Sequence, residues 1–451
     1  MKRLTVLFLF IPVALLAQKN YPAYLDLYMK AEAKVHEFTG TVLVSQKGKI
    51  IYKRAFGFAD REWHTPNIIQ SKFEIGSLTK QFTAVAILQL AEEGKINLDD
   101  KLSKYIPGFT RGDSITIAML LNHTSGLRDF KSDPRFEILV ESQLLDNDTR
   151  YLNDSLVNYF KKNPYDFPAG TQWKYSNTGY FLLGYIIEKI TGQSYSDYIL
   201  HNIIQKAGLK NTLINRFDSI VPYRAKGYAR TQEGWKNARY LSMEVPYSAG
   251  NMMSTVEDLY QWNNALFSGK VISREMFQKM ITPYLGNYGY GLFIDTFEHH
   301  SRIQHSGGIN GFVSYIARFP TDDVVVVGLS NNENASTPRI VDALTAIMLD
   351  VPITIPYQHK ESIIDSSILK RYVGKYQRQG ISGLDTMMVK EGKLYWQLPS
   401  GRVVQMKPES ATKFFIEEYP YIQFEFNVNT TGQVTKAYSI DAGVKNEIKR
   451  F

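Results

Sequence analysis

The sequence predicts an α+β fold for residues 18–355, with one mainly antiparallel sheet covered by helices, followed by a small all-β barrel. Segments rich in β-formers lie near residue 50 and again near residue 320, and apolar helical stretches lie between them. We expect strands from both ends of this region to pair in one sheet. After Pro356 the pattern changes to short strands separated by turn residues such as Glu391-Gly392.

The first 17 residues have the pattern of a secretory signal peptide and are excluded from the fold. Lys2 and Arg3 precede an apolar run from Leu4 to Leu16 that ends at Ala17. The run is about 13 residues long, short of the ~20 residues that a helix needs to span a bilayer. We expect cleavage, no stable membrane span afterwards, and a periplasmic or secreted bacterial protein. An uncleaved anchor is the alternative.

Periodicity and turn residues predict the elements of residues 18–355. The predicted helices cover residues 22–38, 77–93, 116–122, 178–191 and 255–267. The predicted strands cover residues 41–46, 50–56, 290–296, 312–319 and 324–329. The helix from Ser77 is apolar on most sides, which indicates a buried helix. Ser254 and Glu257 have the spacing of a capping box at the start of the last helix.

Residues 362–451 are predicted to form a separate domain, because strands and turns alternate there without a helical pattern. The predicted strands cover residues 370–377, 386–390, 393–398, 402–407, 413–418, 422–428, 434–440 and 446–451. Strands of this number and length suit a small antiparallel barrel.

Composition and missing motifs exclude several kinds of chemistry. The chain has no Cys, so disulfides, thiolate metal sites and Cys nucleophiles are excluded. Its net charge of +8 is spread without a run of five like charges, so no nucleic-acid partner is predicted. The glycine-rich signatures of nucleotide-binding loops are absent. His299 and His300 would face opposite ways on a strand, so we predict neither a metal nor a cofactor.

The most informative motif is Ser77-Leu78-Thr79-Lys80, in which a Ser opens a buried helix and a Lys follows one turn later. Side chains at i and i+3 share a helix face. A serine hydroxyl needs a neighbouring base, and a Lys in a partly desolvated pocket has a lowered pKa that suits this task. The same spacing occurs at residues 367–370 and 410–413, so the spacing alone is weak evidence.

A second motif, Tyr175-Ser176-Asn177, lies just ahead of a predicted helix, where a Tyr hydroxyl and an Asn amide can face one pocket. The purely structural alternative is a half-buried Tyr175 with a satisfied hydroxyl and Asn177 as a helix N-cap.

A third motif, His305-Ser306-Gly307-Gly308, occurs once. Its glycines allow a substrate to approach the backbone, and an exposed N–H there can pair with that of Ser77 as an oxyanion hole. The structural alternative is a β-bulge or turn, with His305 on the surface.

Together, in this order, the three motifs resemble the signatures of the penicillin-recognising serine hydrolases, in the class C β-lactamase-like branch. The stretches 121–127, 175–184, 249–259 and 305–312 also match, and the resemblance covers about residues 25–335. It implies a β-lactamase/transpeptidase-like fold: an antiparallel sheet flanked by helices, plus a helical subdomain. The second domain is more weakly similar to lipocalin-like barrels.

The resemblance also implies a role for each motif residue. Ser77 is expected to be the acylated nucleophile, Lys80 its proton partner and Tyr175 the general base. Asn177 and the third motif are expected to bind substrate. The backbone N–H groups of Ser77 and Gly308 are expected to form the oxyanion hole, beside Gly307.

One departure bears on the substrate. Many β-lactamases carry Lys where this chain has His305, and His is mostly neutral at pH 7, titrating near ~6.5. His at this position is familiar from esterase and D-aminopeptidase-like members. We therefore expect a small ester or a D-amino-acid-containing peptide or amide as substrate, with cell-wall peptide a candidate. The alternatives are a β-lactamase and a catalytically idle peptidoglycan-binding or scaffold protein.

Overall fold

The computed structural model describes residues 20–133, 152–216, 218–231, 233–378 and 381–451. The predicted signal peptide, residues 1–17, lies outside the described residues. Within the described ranges, no helix combines the length and apolarity needed to cross a bilayer.

A six-stranded antiparallel sheet forms the centre of the first domain and is built from both of its ends, as the sequence predicts. Val42 of the first strand lies opposite Arg54 on one side and Gly328 on the other. In order across the sheet, the strands are Phe293–Phe297, His300–Ile309, Phe312–Phe319, Val324–Ser330, Gly40–Gln46 and Lys49–Phe56.

The strand Val324–Ser330 is buried along its whole length, and it separates two apolar clusters. Val326 packs in a cluster with Leu344, whereas Val327 belongs to a cluster with Phe82. Successive strand residues point to opposite faces. The sheet therefore has helices packed on both sides.

Two helices from the two ends of the domain, Tyr21–Val35 and Thr337–Met348, cover one face. The serine helix (Thr79–Glu92) and the asparagine helix (Asn177–Thr191) belong to the cluster on the other face. Further α-helices are Leu102–Tyr105, Ile117–Leu121, Leu152–Phe160, Tyr195–Tyr198, Gln205–Ala207, Val256–Phe267 and Arg274–Met280, with a π-helix at Ile199–Ile204. Short strands are Phe58–Asp60, Thr65–Pro66, Phe73–Glu74, Leu213–Ile214, Tyr228–Thr231, Gly234–Asn237 and Met252–Ser254.

Some elements of the first domain and one helix cap differ from the sequence expectation. The strand His300–Ile309 and the helix Thr337–Met348 are not predicted. The strand contains two glycines and polar residues that disfavour strands, and its pairing on both sides compensates for them. The predicted cap at Ser254 is wrong, because the Thr255 hydroxyl accepts the hydrogen bond from the Asp258 N–H.

The C-terminal residues form a closed barrel of eight antiparallel strands. They are Gly374–Gln377, Asp385–Lys390, Lys393–Gln397, Val403–Pro408, Lys413–Ile416, Tyr419–Val428, Val434–Asp441 and Val444–Arg450. The first strand is shorter than predicted, because residues 366–372 form a 3₁₀-helix. Trp396, Met406 and Phe424 pack together in the barrel cluster.

A buried polar cluster joins the barrel to the first helix. Glu32 is 0% exposed; its carboxylate accepts a hydrogen bond from the Tyr421 hydroxyl at 2.8 Å and lies 2.9 Å from His36 Nδ1. The rings of His36 and Tyr421 are 4.2 Å apart. The Tyr28 hydroxyl donates to the Ala442 carbonyl at 3.1 Å. These contacts attach the barrel to the first domain.

We expect Tyr421→Phe to loosen this attachment, because the buried Glu32 carboxylate loses a hydrogen bond worth about 1.5–3 kcal/mol. Thermal unfolding should begin at a lower temperature, and proteases should cut the segment 351–365 faster. Tyr438→Phe, in the barrel but away from Glu32, is the matched control. Equal melting temperatures for the two variants would contradict the role of this cluster in fastening the barrel.

Candidate active site

The first two predicted motifs meet where the serine helix begins. Ser77 lies in the 3₁₀-turn Gly76–Leu78, which leads directly into that helix. Lys80 Nζ lies 3.0 Å from Ser77 Oγ and donates to Asn177 Oδ1 at 2.8 Å. The turn places the hydroxyl and the amine side by side.

Lys80 is 0% exposed, so its environment controls its charge. Burial holds the pKa of its amine well below the usual range; Asp129 opposes this shift, and Lys131 adds to it. Besides Ser77 and Asn177, the amine donates to the Ala249 carbonyl at 2.8 Å.

The three partners of Lys80 are compatible with the neutral amine that its lowered pKa favours. Two of them, the Asn177 and Ala249 oxygens, are carbonyls that only accept hydrogen bonds. The third, Ser77 Oγ, can also donate. A neutral amine has two N–H groups and one lone pair, so the lone pair is left for the Ser77 hydroxyl. The site can therefore move the serine proton onto Lys80.

Tyr175 faces the same amine with its ring, whose centroid is 4.9 Å from Lys80 Nζ. Its hydroxyl is buried and has no hydrogen-bond partner among the described residues, so the alternative of a satisfied structural Tyr is not observed. Burial raises the pKa of Tyr175 above its usual range; the neighbouring Ser77 hydroxyl lowers it and Asp129 raises it. Tyr175 is therefore a protonated phenol at neutral pH.

Asn177 is the first residue of the asparagine helix, and Ser176 occupies the cap position. Its amide links two titratable side chains: Oδ1 accepts from Lys80, and Nδ2 donates to Asp129 Oδ2 at 2.8 Å. The N-cap alternative is therefore not observed. Asp129 was missed by the sequence reasoning, although it lies two residues beyond the matching stretch 121–127.

His305 is 1% exposed, which excludes the surface alternative. Its Nδ1 lies 2.6 Å from the Ser306 carbonyl, which only accepts, so Nδ1 carries the proton. Nε2 then accepts from the Tyr288 hydroxyl at 2.9 Å. Burial, then the nearby Lys80, lower the pKa of His305 to about 3, although the Ser306 backbone raises it. The expected titration near pH 6.5 is therefore wrong.

We accordingly expect that titration of His305 does not change the preference for anionic substrates between pH 5 and 8. The ratio of acylation rates with a carboxylate-bearing penicillin and a neutral ester should stay constant from pH 5 to 8, because the His305 pKa of about 3 lies below this interval. Stopped-flow acylation of the wild type with both compounds measures this ratio. A ratio that rises as the pH falls through 6.5 would restore His305 as a titrating carboxylate ligand.

The glycines of the third motif set how closely the strand His300–Ile309 approaches Ser77. A Cβ on Gly307 would lie 2.0 Å from the Ile75 carbonyl oxygen, so only Gly fits there. A Cβ on Gly308 would meet nothing within 4 Å, so this residue faces open space. Gly76, at φ +49°, packs against the Gly308 backbone. This arrangement can direct the N–H groups of residues 77 and 308 at one substrate oxygen.

A second buried histidine, His123, supports the tyrosine motif and was given no role by the sequence reasoning. Its Nδ1 accepts from the Ser176 N–H at 3.2 Å, and its ring lies 4.3 Å from that of Tyr175. Burial, and next the charge of Lys80, hold the pKa of His123 well below its usual range. His123 therefore packs as a neutral ring against Tyr175.

The other two Ser-x-x-Lys sequences are not sites of this kind. The exposed Ser367 hydroxyl donates to Asp365 at 2.7 Å, and the exposed Ser410 hydroxyl accepts from the Lys413 backbone N–H at 3.1 Å. In the described part of the chain, no group of three or more His, Asp or Glu is placed to hold a metal ion.

Comparison with known proteins agrees with this geometry. Residues 28–347, which contain all three motifs, match the β-lactamase family. Penicillin-binding protein 4* of Bacillus subtilis (strain 168) is 29% identical over 440 residues, covering 91% of this chain and 95% of that protein.

Two solved structures extend the comparison. A D-stereospecific amidohydrolase from Streptomyces sp. is 26% identical, with a TM-score of 0.59 over 70% of this chain and 96% of that one. The octameric penicillin-binding protein homologue from Pyrococcus abyssi, 24% identical, shares the fold over 95% of this chain and 99% of its own, with a TM-score of 0.63. This chain belongs to the β-lactamase family of serine hydrolases.

Proposed function

We propose that this chain is an exported hydrolase that forms an acyl-enzyme at Ser77 and acts on small esters or on D-amino-acid-containing peptides or amides. The observation that carries the proposal is the contact of a fully buried Lys80 amine, its pKa lowered by burial, with the Ser77 hydroxyl at 3.0 Å. An activated hydroxyl is what nucleophilic catalysis by serine requires.

In the first step, Ser77 Oγ attacks the substrate carbonyl carbon while its proton moves to Lys80 Nζ. The carbonyl oxygen becomes an oxyanion that the backbone N–H groups of Ser77 and Gly308 bind. Tyr175, for which the sequence resemblance implies the role of general base, is a protonated phenol here, so Lys80 takes that role. Tyr175 instead gives its proton to the leaving group and regains one from Lys80. Water then cleaves the ester at Ser77, its proton passing to the leaving Oγ through Lys80.

The third motif favours a neutral acyl group over a carboxylate-bearing one. His305 is buried and neutral, so it presents no cation of the kind that a penicillin carboxylate binds. The Streptomyces relative is a D-stereospecific amidohydrolase, which supports amides of D-amino acids as candidates. β-Lactam hydrolysis is the second candidate, favoured by the match of residues 28–347 to the β-lactamase family.

A hydrolysis screen of purified residues 18–451 tests these candidates. The substrates are p-nitrophenyl esters, matched D- and L-aminoacyl p-nitroanilides, and nitrocefin. We expect turnover of esters or D-anilides to exceed that of nitrocefin. Labelling by a fluorophosphonate without turnover of any substrate would indicate a binding protein that retains the site, and no labelling would indicate an idle scaffold.

Export and the domain limits 18–355 and 362–451 are also proposals. The basic residues and apolar run of residues 1–17 support export. Mass spectrometry of the mature protein from a bacterial host should find a new N-terminus near residue 18. A protein that keeps residues 1–17 and sediments with membranes would instead indicate an anchor.

A further inference from the structure

Asp129 is connected to Lys80 through the side chain of Asn177, and it belongs to none of the three motifs. Its Oδ2 accepts from Asn177 Nδ2 at 2.8 Å, while Asn177 Oδ1 accepts from Lys80 at 2.8 Å. Its Oδ1 accepts from the Lys131 backbone N–H at 3.0 Å. A carboxylate, an amide and an amine therefore form one hydrogen-bonded line that ends at Ser77.

The position of Asp129 is fixed by the backbone around it. The Phe130 N–H donates to the Thr178 hydroxyl at 3.1 Å, and that hydroxyl donates to the Arg128 carbonyl at 2.8 Å. Both bonds hold the segment 128–130 against the first turn of the asparagine helix. The carboxylate is thus part of a built site and not a mobile surface charge.

We propose that Asp129 is a positioning residue: it fixes the Asn177 amide with its oxygen toward Lys80 and supplies the negative charge that faces the buried amine. An ionised carboxylate only accepts hydrogen bonds. It therefore selects the amide orientation in which the NH₂ group faces Asp129 and the oxygen faces Lys80. The reverse orientation would point two N–H groups at an amine that needs an acceptor.

The charged and titratable groups around the amine define the expected pH effect. Asp129 raises the pKa of Lys80, and the Lys131 side chain lowers it. Asp129 also raises the pKa of Tyr175. His123 and His305 are held neutral, mainly by burial. Loss of the Asp129 charge should therefore move the acid limb of a pH–rate profile, which reports Lys80, to lower pH.

The test is the pH profile of kcat/KM on a neutral p-nitrophenyl ester for Asp129→Asn. We expect a loss of about 10- to 100-fold, the scale of a hydrogen bond to a charged group, and an acid limb displaced to lower pH. Lys131→Gln should displace the acid limb to higher pH, because a positive charge near Lys80 is lost. Asp166→Asn is the matched control, since that carboxylate binds Arg128 and Lys174 instead of Asn177.

The outcomes separate this proposal from the proposed function on which it rests. An Asp129→Asn enzyme with an unshifted profile would overturn the positioning role, whether or not its rate falls. If that variant fails to fold, Asp129→Glu, which keeps the charge, decides: an unchanged profile supports the proposal and a shifted one overturns it. Failure of the proposed function appears separately, as a wild type that is not labelled at Ser77.

Discussion

Ser77→Ala is expected to abolish hydrolysis and covalent labelling while leaving the melting temperature nearly unchanged. The substitution removes the oxygen that forms the bond to the acyl group. The variant should therefore lose nearly all of the rate enhancement except the part that the oxyanion hole supplies. Folding depends little on it, because Ser77 is only partly buried and its hydroxyl contacts a lysine whose other two partners remain. Fluorophosphonate labelling, hydrolysis of a p-nitrophenyl ester and thermal unfolding measure the three quantities.

Ser367→Ala is the matched control for this variant, because Ser367 begins another Ser-x-x-Lys sequence and is exposed. It should keep both labelling and turnover. Peptide mapping of the labelled wild type should place the adduct on the fragment that contains Ser77. An adduct on Ser367 or Ser410, or residual turnover in Ser77→Ala near the wild-type rate, would remove Ser77 from the mechanism.

The sequence predicts correctly those elements whose residue pattern is contained within a short segment of the chain. The hairpin near residue 50, the serine helix and most barrel strands occur close to their predicted positions. The strand His300–Ile309 could not be predicted, because its stability comes from two neighbouring strands and its glycines suggest a turn. Its Gly307 is explained only by the Ile75 carbonyl that packs against it, a contact between residues more than 230 positions apart.

The same limit applies to the site. Spacing placed Ser77 and Lys80 on one face, and motif order associated them with Tyr175 and Asn177. The spacing of the motifs does not reveal burial, so the sequence predicts an ordinary pKa of ~6.5 for His305. In the structure the ring is enclosed, and its pKa is lowered to about 3. Asp129 was missed because one acidic residue after a glycine-containing loop has no distinctive pattern of its own.

Lys80→Met should be the second most damaging change, because it removes the group that accepts the serine proton. We expect kcat to fall by at least ~10²-fold, the usual scale for losing a positioned proton-transfer group. Met has a similar length and fills the buried space, so the loss should reflect chemistry and not a cavity. Single-turnover acylation of Ser77 by a neutral ester separates this effect from product release. Lys270→Met, on an exposed lysine distant in the chain, is the control.

The stability difference between the wild type and this variant should depend on pH in a direction that the burial of Lys80 fixes. In the folded chain the Lys80 pKa is held well below its usual range, whereas in the unfolded chain it returns to about 10.4. Between these two values the unfolded chain binds one more proton, so the unfolding free energy of the wild type rises with pH, by up to about 1.4 kcal/mol per pH unit. Lys80→Met lacks this slope. Urea unfolding of both proteins from pH 6 to 9.5 should therefore show the wild type gaining stability relative to the variant as pH rises, and parallel curves would mean that Lys80 keeps an ordinary pKa and cannot serve as the neutral base.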